Sequence, residues 1–186
     1  MNAPRHLVLV GLMGVGKSTV GRSCAKRLNR TFVDTDERIV EISGRSISDL
    51  FAVGEPEFRR WERLAVEQVA DSVEPLVVSC GGGAVLDPRN RSALRATGIV
   101  VWLRADPETL LARVGDGSGR PLLAGDPESV LRQLAAERES AYRAAAHEII
   151  DTEARTPEDV TNAVLTAARI ESTSGVDVGA DIDTEE

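Results

Sequence analysis

Apolar positions along the chain fall into short continuous runs and spaced stripes that alternate with one another. Leu7-Val8-Leu9-Val10 is apolar throughout and meets glycine at once, the pattern of a strand buried on both faces. Val20, Cys24, Ala25 and Leu28 recur at helical spacing between Lys17 and Leu28, and Phe32-Val33 then leads into Asp34-Thr35-Asp36. That predicts a strand, helix, strand unit. Leu76 to Ser79 is another apolar run ending in glycines, and Ile99 to Leu103 is rich in β-branched residues, so both predict strands. Helices are expected over Glu57 to Ser72, Pro88 to Ala96, and Pro107 to Val114, the last with Asp106 placed to cap it. Glu148 to Asp151 reads as a weaker final strand. Thr156-Pro157-Glu158-Asp159 then opens a helix to about Arg169, with a hydroxyl cap, proline at the first position and early acids. The alternation predicts an α/β fold with a mainly parallel, five-stranded sheet.

Composition changes this picture only at the ends. The 186 residues suit one domain with a substantial core, which we expect over residues 1–171. Residues 172–186 are Ser, Thr, Gly and acids with scattered valines, too polar to offset ordering entropy, and a disordered acidic tail is expected there. The net charge is −8, and the segment 171–186 holds six acids with no Lys or Arg. The remainder is nearly balanced, which argues against nucleic acid as a partner. No apolar run approaches the roughly 18–20 residues that span a bilayer, and the first residues lack a cleavable signal's long apolar stretch. A cytoplasmic monomer without a membrane partner is the expectation. Cys24 and Cys80 fit it, since two cysteines build neither a disulfide framework nor a zinc spacing and read as small buried hydrophobes.

The strongest chemistry lies just after the first strand. Gly11 to Ser18 fits G-x-x-x-x-G-K-[ST] between an apolar run and a helical stripe, the context a phosphate-binding loop requires. Gly14, Val15, Gly16, Lys17, Ser18 and Thr19 are therefore candidate nucleotide-binding residues. Backbone N–H groups and the helix N-terminus face the anion, Lys17 reaches the β and γ oxygens, and Ser18 can ligate Mg2+. Lysine usage supports this, because Lys17 and Lys26 are the only lysines against twenty arginines. A compact ammonium fits between phosphate oxygens where a guanidinium is too broad. Lys26 reads as a solvated helix position.

Asp34 and Asp36 end a presumed strand, where ligands of open α/β sheets bind, and a spacing of two places them on one side. One could hold the metal through water while the other orients or deprotonates an acceptor hydroxyl. Further along stand Gly44-Arg45-Ser46-Ile47, Glu57-Phe58-Arg59-Arg60, Gly81-Gly82-Gly83, Arg120-Pro121-Leu122-Leu123, and Arg138 with Tyr142-Arg143.

In order and spacing these motifs, from Leu7 to about Arg169, resemble the shikimate kinases of aromatic amino acid biosynthesis. The resemblance implies a three-layer P-loop kinase fold with a helical acceptor-binding region and a mobile lid. It implies ATP and Mg2+ as cofactors and phosphorylation of the shikimate 3-hydroxyl. By position, Asp34 corresponds to the residue near magnesium and Asp36 to the one gripping the shikimate hydroxyls. Arg59 and Arg138 correspond to the carboxylate clamp, and Gly81, Gly82 and Gly83 to the lining of the shikimate site. A guanidinium fork suits a carboxylate, and Glu62, three residues after Arg59 on a helix, could orient it. Gly115 to Pro121 resembles the lid, whose Arg120 would neutralise charge on the transferring group. Arg113 and Arg155 match positions flanking adenine. Two departures concern the acceptor region: the stretch Phe51 to Gly54 is a residue shorter than in some relatives, and Trp61 is bulky. A related kinase acting on gluconate and a regulatory nucleotide switch are the competing readings; the double arginine clamp disfavours both, and no Asn-Lys-x-Asp guanine-reading segment is found.

Overall fold

The computed structural model describes residues 6–114 and 126–169. Its elements in chain order are β1 (His6–Val10), α1 (Lys17–Leu28), β2 (Phe32–Asp34), α2 (Thr35–Ser43), α3 (Ile47–Val53), α4 (Glu55–Ala70), β3 (Val77–Ser79), a 3-10 turn (Ala84–Leu86), α5 (Pro88–Thr97), β4 (Gly98–Arg104), α6 (Pro107–Val114), α7 (Pro127–Ala145), β5 (Glu148–Asp151) and α8 (Pro157–Ala167). The five strands form one sheet in the order β2-β3-β1-β4-β5, and every pairing is parallel. The expected α/β class and five-stranded sheet hold.

Strand order fixes where a ligand can sit. From β1 the chain runs through α1 to one edge of the sheet, and from β3 it runs through α5 back across to β4. Right-handed crossovers in opposite directions lie on opposite faces, so α1 packs with α8 on one face and α5 with α7 on the other. The neighbours β1 and β3 thus send their following helices apart, and a crevice opens at their carboxyl ends. Layers on both faces explain the unbroken apolar runs: Leu7, Val8, Leu9, Val77, Val78, Val100 and Val101 are all buried. A second, smaller core of Ile39, Leu50, Phe58 and Ala65 joins α2, α3 and α4 into the helical region beside the crevice.

Several boundaries differ from the expected ones. Leu76 precedes β3, because its N–H is given to His6 Nδ1 at 3.0 Å. Helix α4 starts two residues early, where Gly54 with φ 146° turns the chain and Pro56 enters the first turn. Phe51 to Val53, read as a link, is the end of α3, which opens with a capping box between Ser46 and Asp49. Asp36 is not a strand residue. The strand stops at Asp34, whose side chain caps α2 by accepting from the Asp36 N–H at 3.0 Å, so Asp36 stands in the first helical turn. The cap at Thr156 and Pro157 holds as read, with Asp159 completing a capping box.

Candidate active site

The phosphate loop forms where β1 ends and α1 begins. Gly11, Gly14 and Gly16 all take positive φ, a region open to glycine at little cost. Lys17 Nζ donates to the carbonyls of Gly11 at 2.9 Å and Leu12 at 3.0 Å, bridging the loop it would serve. Ser18 Oγ donates to Asp34 Oδ2 at 2.9 Å and lies 3.4 Å from Ser79 Oγ. The hydroxyl after the lysine and the carboxylate ending β2 therefore meet, although sixteen residues separate them.

One cavity of about 620 Å³ joins this loop to the acceptor side. It is lined by Gly14, Gly16, Lys17, Ser18, Thr19, Asp34, Asp36, Arg59, Gly81, Gly82, Gly83 and Arg138 together with apolar walls. The two aspartates do face a common space, by the cap geometry of α2 rather than by strand alternation. Val15 lies apart from them, with its side chain in the core. Arg113 and Arg155 are also outside the cavity. Arg113, at the end of α6, donates to Thr152 Oγ1 and O at 3.0 Å each, while Arg155 is exposed between β5 and α8. Arg120 lies outside the described residues, as do the segment read as a lid and the whole acidic tail.

On the acceptor side, Arg59 is held from two directions. Its NH1 donates to Glu62 Oε2 at 2.7 Å, and its Nε and NH2 donate to Glu55 Oε1 at 3.1 and 2.9 Å. Glu62 is only 2% exposed, and its other oxygen, Oε1, has no hydrogen-bond partner. Burial pushes the Glu62 carboxyl above its ordinary range against the pull of Arg59. Asp36 is raised likewise, first by the protein around it and then by Asp34, with Lys17 and Arg59 opposing. Arg138 is buried on α7, one turn before Tyr142.

Two of the three glycines, Gly81 and Gly83, have a steric reason. A Cβ on Gly81 would lie 2.5 Å from Asp36 Oδ1, and one on Gly83 would lie 2.4 Å from Arg59 NH1. Side chains there would occupy the space of the groups around the cavity. Both cysteines are buried, as expected, and burial pushes the Cys24 thiol up to about 12.

The shikimate kinase family pattern matches residues 13–169. The chain belongs to the shikimate kinase family. A shikimate kinase from Symbiobacterium thermophilum is 49% identical over 164 residues, covering 86% of this chain and 94% of the relative. The structure of the Acinetobacter baumannii shikimate kinase in complex with shikimate matches with a TM-score of 0.83 at 37% identity, over 88% of this chain and 92% of that one. Membership makes this chain an ATP-using kinase of the shikimate pathway. A gluconokinase from Sinorhizobium meliloti, 22% identical with a TM-score of 0.59 over 91% of this chain and 94% of that one, shares the fold alone.

For this family member the sequence reading missed the apolar wall of the cavity. Ile47, Phe51 and Phe58 line it, with the Phe51 and Phe58 rings stacked at 4.4 Å between centroids. Two of the chain's three phenylalanines seven residues apart around Gly54 were the available signal. Trp61, read as bulky, packs against the small core of the helical region and donates through Nε1 to Glu57 Oε1 at 2.9 Å.

Proposed function

We propose that the chain transfers the γ-phosphoryl group of ATP to the 3-hydroxyl of shikimate, with Arg59 and Arg138 holding the acceptor carboxylate. The observation that carries this reading is the single cavity lined by a phosphate loop at one side and by two arginines and a bare glycine turn at the other. Guanidinium forks match a carboxylate, and the apolar faces of Phe51 and Phe58 suit a carbon ring.

In the reaction the 3-hydroxyl oxygen forms the new bond to the γ-phosphorus, the bridging β,γ oxygen leaves with ADP, and the hydroxyl proton is released. Asp36 accepts the hydrogen bond of that hydroxyl, which orients the attack, and takes the proton as the bond forms. Its raised proton affinity suits the task. Lys17 and the loop N–H groups stabilise charge on the transferring oxygens, so catalysis rests on positioning and electrostatics. Ser18 and Asp34 offer hard oxygen donors at one point and would hold a magnesium ion, which would supply neutralisation of phosphate charge. Arg113 and Arg155 flank the adenine, and Arg120 is assigned transition-state charge from sequence alone.

We take the active unit to be a cytoplasmic monomer. No helix among the described residues is long and apolar enough to cross a membrane. A coupled assay of ADP release with shikimate, with gluconate and without acceptor tests the reading. Release is expected with shikimate and Mg2+ only; equal release with gluconate or with no acceptor would overturn it.

A further inference from the structure

A turn of three glycines has no side chains with which to hold itself in place, so its position depends on its neighbours. Two buried hydroxyls supply the grip. Thr35 Oγ1 accepts from the Gly81 N–H at 2.8 Å, and the Tyr142 hydroxyl donates to the Gly82 carbonyl at 2.6 Å. Neither side chain is more than 1% exposed. The Tyr142 ring is itself fixed by stacking on Trp102, with centroids 5.5 Å apart and planes at 21°.

Tyr142 also touches the clamp. Arg138 precedes it by four residues on α7, which puts both side chains on one face, and the guanidinium lies beside the phenol oxygen. A Cβ on Gly82 would be 3.4 Å from Arg138 NH1 and 3.7 Å from Tyr142 Oη. The arginine, the phenol and the middle glycine therefore converge on one point.

We propose that the Tyr142 hydroxyl is a positioning residue for the acceptor carboxylate, setting the direction of the Arg138 guanidinium relative to the glycine turn. A phenol suits this place because its oxygen donates one hydrogen bond and still offers lone pairs to a cation. Phenylalanine would fill the same volume and do neither. Burial pushes the phenol up to about 12, so the hydroxyl remains a donor across the working range of pH. The proposal rests on the reading that Arg138 meets the acceptor carboxylate.

Tyr142 is the chain's only tyrosine, which makes the test clean. Tyr142→Phe keeps the ring stack and deletes one oxygen. Titration calorimetry is expected to find shikimate binding weakened about 10-fold or more, the lower end for one lost hydrogen bond to a charged group, with ATP binding close to wild type. Shikimate affinity within twofold of wild type would overturn the proposal, whereas a wild-type protein indifferent to shikimate, or an Arg138→Ala variant that binds shikimate as tightly as wild type, would instead overturn the reading of the clamp. If Tyr142→Phe fails to fold, protein grown on 3-fluorotyrosine carries a single fluorine reporter at residue 142. Its 19F resonance is expected to shift on saturation with shikimate and to stay in place with ATP alone. An unchanged resonance with shikimate bound would exclude a positioning role.

Discussion

Arg59 lies between two carboxylates that are not equivalent: Glu62 is 2% exposed and Glu55 is 63% exposed. Removing the arginine therefore does two things. It takes a cation from the acceptor carboxylate, and it leaves Glu62 buried beside an empty site. Arg59→Ala is expected to weaken shikimate binding and also to cost about 3 kcal/mol of stability at neutral pH, the low end for a broken buried pair because the carboxyl can take up a proton instead. The sign with pH follows from Glu62. Its folded affinity for a proton is above the ordinary value and rises further without Arg59, so stability is retained at acid pH and lost as pH rises through the folded value. Thermal melts of variant and wild type should converge near the ordinary glutamate range and separate toward neutrality. A pH-independent gap would mean that Glu62 is not the group left unpaired. Asp36 carries the same sign, because burial and Asp34 both favour its neutral form. Asp36→Asn is expected to abolish most turnover while raising the melting temperature at neutral pH, a gain that vanishes toward acid pH. A variant less stable than wild type at neutral pH would contradict the assigned cost of that charge.

At the scale of elements, the glycine turn gives an ordered prediction. An added Cβ meets Asp36 at Gly81 and Arg59 at Gly83 well inside contact distance, but at Gly82 the nearest atoms stand at ordinary contact. Gly81→Ala and Gly83→Ala should each reduce shikimate affinity more than Gly82→Ala, with ATP affinity little changed in all three. Binding titrations giving the reverse order would contradict the steric account. The same scale explains which elements were legible. Helix α1 runs from Lys17 to Leu28 as its stripe indicates, because none of its buried positions is polar. Helix α7 was not delimited, since its buried positions are Leu131, Arg138, Tyr142 and Ala145, and the apolar period breaks where the site begins. Helices α2 and α3 are too short for periodicity to register, and neither was predicted, nor were their caps, Asp34 and Ser46. Asp34 and Asp36 were paired by strand alternation when a helix cap brings them together. Recognition of the site thus came from residue types in order, while its geometry required the tertiary placement of β3 beside β1.

For the whole molecule, the crevice between β1 and β3 collects three cations, Lys17, Arg59 and Arg138, against three carboxylates, Asp34, Asp36 and Glu62. The phosphate loop stands at the core's edge, and the acceptor side rests on the smaller core of α2, α3 and α4. Nucleotide and acceptor thus meet groups held by different parts of the fold, and the central claim is that the acceptor is read by its carboxylate. Its most direct measurement compares kcat/KM for shikimate and for shikimate methyl ester, which keeps the ring and hydroxyls but lacks the charge, in wild type and in Arg138→Ala. Wild type should prefer the acid by at least about tenfold, as expected for losing a charge-assisted contact in a partly desolvated site, and Arg138→Ala should lose most of that preference. Equal use of acid and ester by the wild type, or a preference undiminished in the variant, would contradict the account.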